Sequence, residues 1–412
     1  MLLNDAERAI RDGSRGEAAR LSLEQQIVVG DFFGAERFVE VSNVHMMGDY
    51  EVMGDAGCDY LKSLLAHGAR VCVPTTRNAQ CIEYNHAERL RQSPALIEGE
   101  KRVRQLLAQL GILLVDTCIG YHSIYTPRLH EHIAWGDTGT VAYANSVLGA
   151  CTNYESGPAA IAAAITGRTP AYGFHLDECR RANARCIIEA ELRDIADWGA
   201  VGAVVGERVR GYWNVPLLEI RHGNPSPNDL KHLGASLASY GSLAMYHIMG
   251  ITPEAPSFEA ANGGRELIAE FTVTQADIDA VFARGTPDDG KVNLVVFTAP
   301  QLSLVELDRI ARVAAGRKIH PGTTLLITTN AMNKVAAEQT GTFAALEAMG
   351  ATVIEGTCWY LMDPLEMQRQ FGWKRVVTNS AKLVNIIKAH GYEPVLRPTD
   401  DCVETAITGR LP

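Results

Sequence analysis

Short apolar runs alternate with amphipathic stretches along the chain. "FVEVSNVHM" (38–46), "ARVCVPTTRN" (69–78) and "ILLVDTCIGY" (112–121) read as strands, and so do "KVNLVVFTAPQ" (291–301), "TTLLITTN" (323–330), "TVIEGTCWY" (352–360) and "RVVTNS" (375–380). All are strand-length and rich in β-branched residues, and all but the first end in hydroxyl or amide side chains. The intervening segments carry helical period and helix punctuation. Asn4 with Glu7 forms a capping box and Gly13 a stop, and a second helix spans about 15–33 before Gly34. Gly48–Gly57 reads as a polar loop before a short helix, "DYLKSLLAHG". "ALIEGEKRVRQLLAQLG" ends at Gly111, and "SLVELDRIARVAAG" opens on Ser303 with Glu306 three residues on. Helix alternating with apolar strand is the α/β pattern, in which ligands gather beyond the carboxyl ends of the strands.

A chain of 412 residues is expected to form more than one packed lobe. The Gly-rich stretch 190–235, closing in "GNPSPND", places an approximate boundary between lobes 1–225 and 226–412, with interleaving of the two in space left open. Charge sharpens the class: a net −10 argues against a nucleic-acid or anionic-membrane surface. No apolar run approaches the ~20 residues of a membrane span. The N-terminus reaches charges by residue 5 with no apolar secretory region. The nine cysteines form no CxxC pair and suit a reducing cytoplasm rather than a disulfide framework.

Candidate chemistry collects where the strands end. Thr75, Thr76 and Asn78 follow one run, and Thr117, Cys118 and Tyr121 another. Later runs end in Thr298 and Gln301, Thr328–Asn330, Thr357 and Cys358, and Thr378–Ser380. Tyr143–Pro158, "YANSVLGACTNYESGP", adds Asn145, Ser146, Cys151, Thr152, Asn153 and Ser156 in a segment that opens apolar. Uncharged donors of this kind suit a small ligand with a carboxylate or hydroxyl. Thr and Asn also form turns and caps, so the set carries more weight than any member. Two loops place a cysteine directly after a threonine, "DTCIGY" and "GTCWY", which fits an iron site or a nucleophile. In "VTNSAKLVNIIK", Asn379 or Ser380 caps a helix and Lys382 adds a charge. "HLDE" (175–178) offers His175 and Asp177 as acid, base or ligand. No HExxH, P-loop, GxSxG or GxGxxG pattern is present.

The stretches "FFGAERFVEVSNVH", "GDAGCDYL", "ARVCVPTT", "YHIMGITPEAP" and "VVTNSAK", and above all block 131–178, resemble the aconitase X family in its large subunit or large domain. The resemblance implies an aconitase-like α/β fold of layered sheets with flanking helices. It implies a hydro-lyase with an iron–sulfur centre, acting on cis-3-hydroxy-L-proline to give a pyrroline carboxylate, or on mevalonate 5-phosphate. The swivelling domain that closes such sites has no counterpart in this sequence, so a small partner subunit is implied. The resemblance sets the apolar half of Tyr143–Pro158 in a sheet and turns its polar half to the ligand.

By the same resemblance, Cys118 and Cys358 are iron ligands. Where the family has a Cys-Pro-His segment this chain has "TAPQ", with Ala299 and Gln301, so Cys151 is a candidate third ligand and a two-iron or degenerate centre is open. After "TNSAK" the chain reads "LVNIIK" in place of an Ala-His-Tyr run. The implied roles are Ser146, Ser380 and Lys382 in catalysis, and His45, Thr75, Asn78, Asn145, Thr152, Asn153, Asp177 and Asn379 around the substrate. The family's proton-abstracting serine lies on the absent small domain. Arg77 and Lys382 are the obvious cations for a phosphate, and the missing thiol with few cations favours hydroxyproline. A non-catalytic relative with a decayed iron site is the third reading.

Overall fold

The computed structural model describes residues 1–155, 157–285 and 290–412. Three parallel sheets carry the architecture, each flanked by helices, as the aconitase-like reading expects. The first is short: Val44–Met46 lies between Thr75–Arg77 and Ala134–Trp135. The second places Ala184–Ile188 between Pro216–Ile220 and Ala269–Val273, with His247–Ile248 at one edge. Residue 225, the approximate boundary expected from sequence, falls inside this layer, between two of its strands. The third sheet has five strands around Leu294–Leu302, which is buried at every position. A continuous apolar run is the signature of a parallel strand covered on both faces. No helix of the described residues is long and apolar enough to cross a membrane.

Local signals hold where their partners are local. Asn4 and Glu7 form the expected capping box, as do Ser303 and Glu306. Ser93 caps Pro94–Leu110, and Gly111 closes it at φ 92°, a conformation costly for any residue with a Cβ.

Three expectations are corrected. "FVEVSNVHM" is two strands, Phe38–Glu40 and Val44–Met46, in different sheets. The polar loop at 48–57 is mostly helix: Asp49 caps Tyr50–Ala66, and Gly54 at φ 56° absorbs a break near its start. "ILLVDTCIGY" makes a single bridge, Thr76 to Leu113, and no strand. Asp116 takes φ 49°, and the Cys118 N–H donates to the Gln301 side chain at 3.3 Å instead of joining a ladder.

Asp49 carries a pH-dependent contribution to stability. Its Oδ1 accepts from Val52 N at 3.1 Å, and its buried Oδ2 has no partner among the described residues. Burial, reinforced by Glu100, pushes the carboxyl up to about 7. A carboxyl raised on folding stabilises the fold while protonated: the contribution is complete below the unfolded value and is lost as pH rises through about 7. Asp49→Asn keeps an acceptor for Val52 N and cannot ionise. It is expected to melt above wild type at about pH 8.5 and level with it or below at about pH 4. Equal melting shifts at both pH values would refute this.

Candidate active site

The five-stranded sheet reads, edge to edge, Thr352–Glu355, Thr324–Thr329, Leu294–Leu302, Arg375–Thr378, Glu393–Leu396. The chain leaves Leu294–Leu302 to one side for two strands, then returns to its other side for two more. The carboxyl end of this central strand is therefore a topological switch point, where open α/β sheets form their crevices. Residues just beyond the first sheet meet it there. Gln80 N donates to Gly356 O at 2.9 Å, Asn330 Nδ2 to Thr117 Oγ1 at 3.0 Å, and Gln301 Nε2 to Asp116 O at 3.2 Å.

Both Thr-Cys loops enter this junction. The Cys118 sulfur accepts from Gln301 N at 3.3 Å, and the Thr298 hydroxyl lies 3.9 Å from the Cys358 sulfur. Burial pushes the Cys118 thiol up to about 12, with Asp137 and Cys358 adding to the rise. Burial also raises Cys358, against the pull of Lys382. Lys382 Nζ lies 3.4 Å from Asp137 Oδ1, and both side chains keep a small opening to solvent. Burial alone would lower the lysine pKa; Asp137 and the two thiols reverse it, and the ammonium is held charged. Burial opposes ionisation of Asp137 as well, yet Lys382 and the Thr140 hydrogen bonds bring its pKa below the ordinary value. His45 sits nearby, its Nδ1 2.8 Å from Thr76 Oγ1 and its buried Nε2 without a partner among the described residues. Burial pushes it down to about 4, so the imidazole is neutral near pH 7.

Ser380 also reaches this junction, but as structure: its hydroxyl donates to Ala299 O at 2.6 Å and accepts from Leu383 N at 3.1 Å. Asn379 Nδ2 donates to Thr399 Oγ1 at 3.1 Å. The other expected residues are committed to backbone. Thr75 Oγ1 donates to Val73 O, and Asn78 Oδ1 accepts from Ala79 N. Ser146 Oγ accepts from Tyr246 N at 2.9 Å. Asn145 joins Thr152 to Ala244 O, Thr152 Oγ1 links Trp135 N to Asn153 O, and Asn153 bridges Tyr172 O and Phe174 N.

The expected placing of Tyr143–Pro158 is thereby corrected. Its apolar half lies in a helix, Thr138–Ser146, capped by Asp137, not in a sheet. Its polar half satisfies buried backbone groups, which cost more unpaired than paired. Ser156 lies outside the described residues. Asp177 opens a short 3-10 turn and acts electrostatically on His132 and Cys151. Arg77, the other cation proposed for a phosphate, is fully buried and paired to Glu100 and Asp116.

Sequence reasoning missed Asp137, although "WGDTGT" carries the cap signal of an aspartate three residues before a hydroxyl. The structural role of Gln301, seen in sequence only as a departure from a family pattern, was equally hidden.

An iron–sulfur centre can be tested against this donor set. Cys118 and Cys358 bring two sulfurs to the crevice. The third position implied by the resemblance is Ala299, whose methyl group is no donor. Cys151 is buried in a different electrostatic setting, facing Arg180, Glu254 and Asp177. Among the described residues, no group of three or more His, Cys, Asp or Glu side chains could hold a metal ion. The residues present do not complete a three-sulfur site.

Comparison with known proteins bears on the whole chain. Family models described as the aconitase X first, second and third domains match residues 1–178, 183–283 and 292–408. A phosphomevalonate dehydratase large subunit from Methanothermobacter thermautotrophicus is 36% identical over 93% of this chain and 93% of its own. A cis-3-hydroxy-L-proline dehydratase from Pseudomonas aeruginosa is 32% identical, and covers 100% of this chain with 70% of its own length. The crystal structure of Thermococcus kodakaraensis aconitase X in its holo-form superposes with a TM-score of 0.88 at 29% identity, covering 98% of this chain and 100% of that one.

Proposed function

The chain belongs to the aconitase X family, and from that premise we propose that it is the large subunit of a hydro-lyase that dehydrates a small hydroxy acid, cis-3-hydroxy-L-proline foremost. The observation that carries this is the crevice itself. One ammonium–carboxylate pair, Lys382 and Asp137, faces two thiols, with a neutral imidazole nearby. Arg77, which a phosphate would call for, is locked in a buried ion pair instead. A substrate of one carboxylate and no phosphate matches that charge.

Dehydration breaks a carbon–oxygen bond and removes the proton on the neighbouring carbon. Lys382, kept charged by Asp137, supplies the fixed cation that holds the substrate carboxylate. Neutral His45 offers an unpartnered ring nitrogen that can hydrogen-bond the substrate hydroxyl and orient it. Ser146 and Ser380 are engaged with backbone, so the base for the carbon-bound proton is assigned to a small partner subunit. The family suggests an iron–sulfur cluster; the donors here stop at Cys118 and Cys358. Nine free cysteines fit action in a reducing cytoplasm.

A second reading, phosphomevalonate dehydration, is favoured by the near-complete two-way coverage with a named large subunit. It requires phosphate-binding cations from the partner. Co-expression with a small subunit and product analysis by NMR on both substrates decides. We expect turnover of cis-3-hydroxy-L-proline. Turnover of phosphomevalonate alone moves the assignment to the second reading, and turnover of neither rejects both substrates.

A further inference from the structure

We infer that Gln301 is a positioning residue that holds Cys118 and Cys358 as a facing pair, anchored from beneath by the buried Lys231–Glu306 ion pair. The functional meaning of the pair rests on the dehydratase reading; its geometry does not. Gln301 is fully buried; its side chain reaches both thiol loops, and its backbone N–H reaches the Cys118 sulfur. Its N–H donates to the Cys118 sulfur at 3.3 Å, and its Oε1 accepts from the Cys118 N–H at 3.3 Å. Its Nε2 donates to Asp116 O at 3.2 Å and to Thr357 O at 3.0 Å. One amide therefore ties the residue before Cys358 to the segment carrying Cys118.

The anchor comes from a different layer. Lys231, on the helix Pro227–Gly241, has no exposed side chain and donates to Gln301 O at 3.0 Å and to Glu306 Oε2. Glu306 also accepts from Ser303 N at 2.8 Å and lies 3.0 Å from His232 Nε2. The carboxylate is thus paired at both oxygens, and the lysine is held with one donor aimed at the backbone of residue 301. A buried glutamine side chain must find partners for one acceptor and two donors. This one has its acceptors and donors distributed so that losing the amide separates the two thiol loops.

The test reads thiol geometry without substrate or cofactor. Phenylarsine oxide condenses with two close thiols: two As–S bonds form, the As–O bond breaks, and the oxygen leaves with both thiol protons as water. Arsenic stays trivalent. The cofactor-free chain is used with Cys72 and Cys179, the exposed and half-buried thiols elsewhere, changed to Ser. We expect one arsenical per chain that survives excess 2-mercaptoethanol, seen by mass spectrometry and lost in Cys118→Ser and Cys358→Ser.

Gln301→Glu keeps side-chain size but removes the donors to Asp116 and Thr357. It is expected to release the arsenical at least about tenfold faster, as expected when a two-point attachment loses its effective concentration. Lys231→Met with Glu306→Gln, which leaves no buried unpaired charge, should do the same in part. Lys231→Arg, which keeps a cation beside Glu306 and the Gln301 carbonyl, should hold the arsenical nearly as wild type does. Equal retention in wild type, Gln301→Glu and the double variant overturns the proposal, as does failure of wild type to form the bridged adduct. Should Gln301→Glu fail to fold, the double variant against Lys231→Arg decides alone. A chain that holds the arsenical through Gln301 yet dehydrates neither compound rejects both substrates and leaves this inference standing.

Discussion

Lys382→Met is expected to lower kcat/KM of the assembled enzyme by about 10²–10³-fold, the usual cost of removing one preorganised charge from a reacting site. Lys382 pairs with Asp137 at 3.4 Å, and both side chains keep only a small opening to solvent. The pair is mostly buried, so Lys382→Met leaves the Asp137 carboxylate without its cation and should also lower the melting temperature, a loss that adding Asp137→Asn should partly return. The two readouts separate chemistry from stability. Lys382→Arg keeps the charge but exchanges a compact ammonium for a planar fork, and should recover only part of the rate. Because Asp137 is held ionised by Lys382 and Thr140, Asp137→Asn should also slow turnover, and more steeply toward high pH as the lysine loses the carboxylate that raises its pKa. Wild-type kcat/KM in Lys382→Met would remove the residue from the mechanism.

What the sequence made legible follows the range of the interactions. Capped helices such as Leu304–Ala314 and Pro94–Leu110 are specified within a few residues and were readable. So was the central strand Leu294–Leu302, which opens on the β-branched and apolar run of residues 294–297. The Thr-Cys loops were readable as chemistry because thiols at strand ends are uncommon, and the fold brings their sulfurs to one crevice. "ILLVDTCIGY" was misread because its backbone bonds are made to a glutamine side chain far along the chain, which no local pattern encodes. The amides and hydroxyls of Asn145, Thr152 and Asn153 show the opposite failure. Residue type reveals a capacity to hydrogen-bond but not the partner, and here the partners are buried backbone groups.

Arg77→Met is expected to be the most destabilising single change considered, costing about 3–5 kcal/mol, because it strips a buried ion pair of one partner. Arg77 is fully buried and donates to Glu100 Oε1 at 2.7 Å, Asp116 Oδ1 at 2.7 Å, Gln80 Oε1 at 3.2 Å and Gly48 O at 3.3 Å. Without it, Asp116 keeps Arg104 at 2.7 Å, but Glu100 keeps only neutral donors, Tyr50 N at 2.8 Å and the Cys81 thiol. The uncompensated carboxylate, rather than the lost contact, dominates the cost. Adding Glu100→Gln should therefore return roughly half of the lost stability, a coupling that two independent sites would not show. Urea midpoints of wild type, both single variants and the double variant measure it. The effect should also reach the crevice, since Asp116 is two residues from Cys118 and its carbonyl accepts from Gln301. In the double variant, a restored midpoint with thiols still loosened would show that the guanidinium positions Asp116 as well as neutralising it. Additive losses would mean that Glu100 and Arg77 stabilise the fold separately.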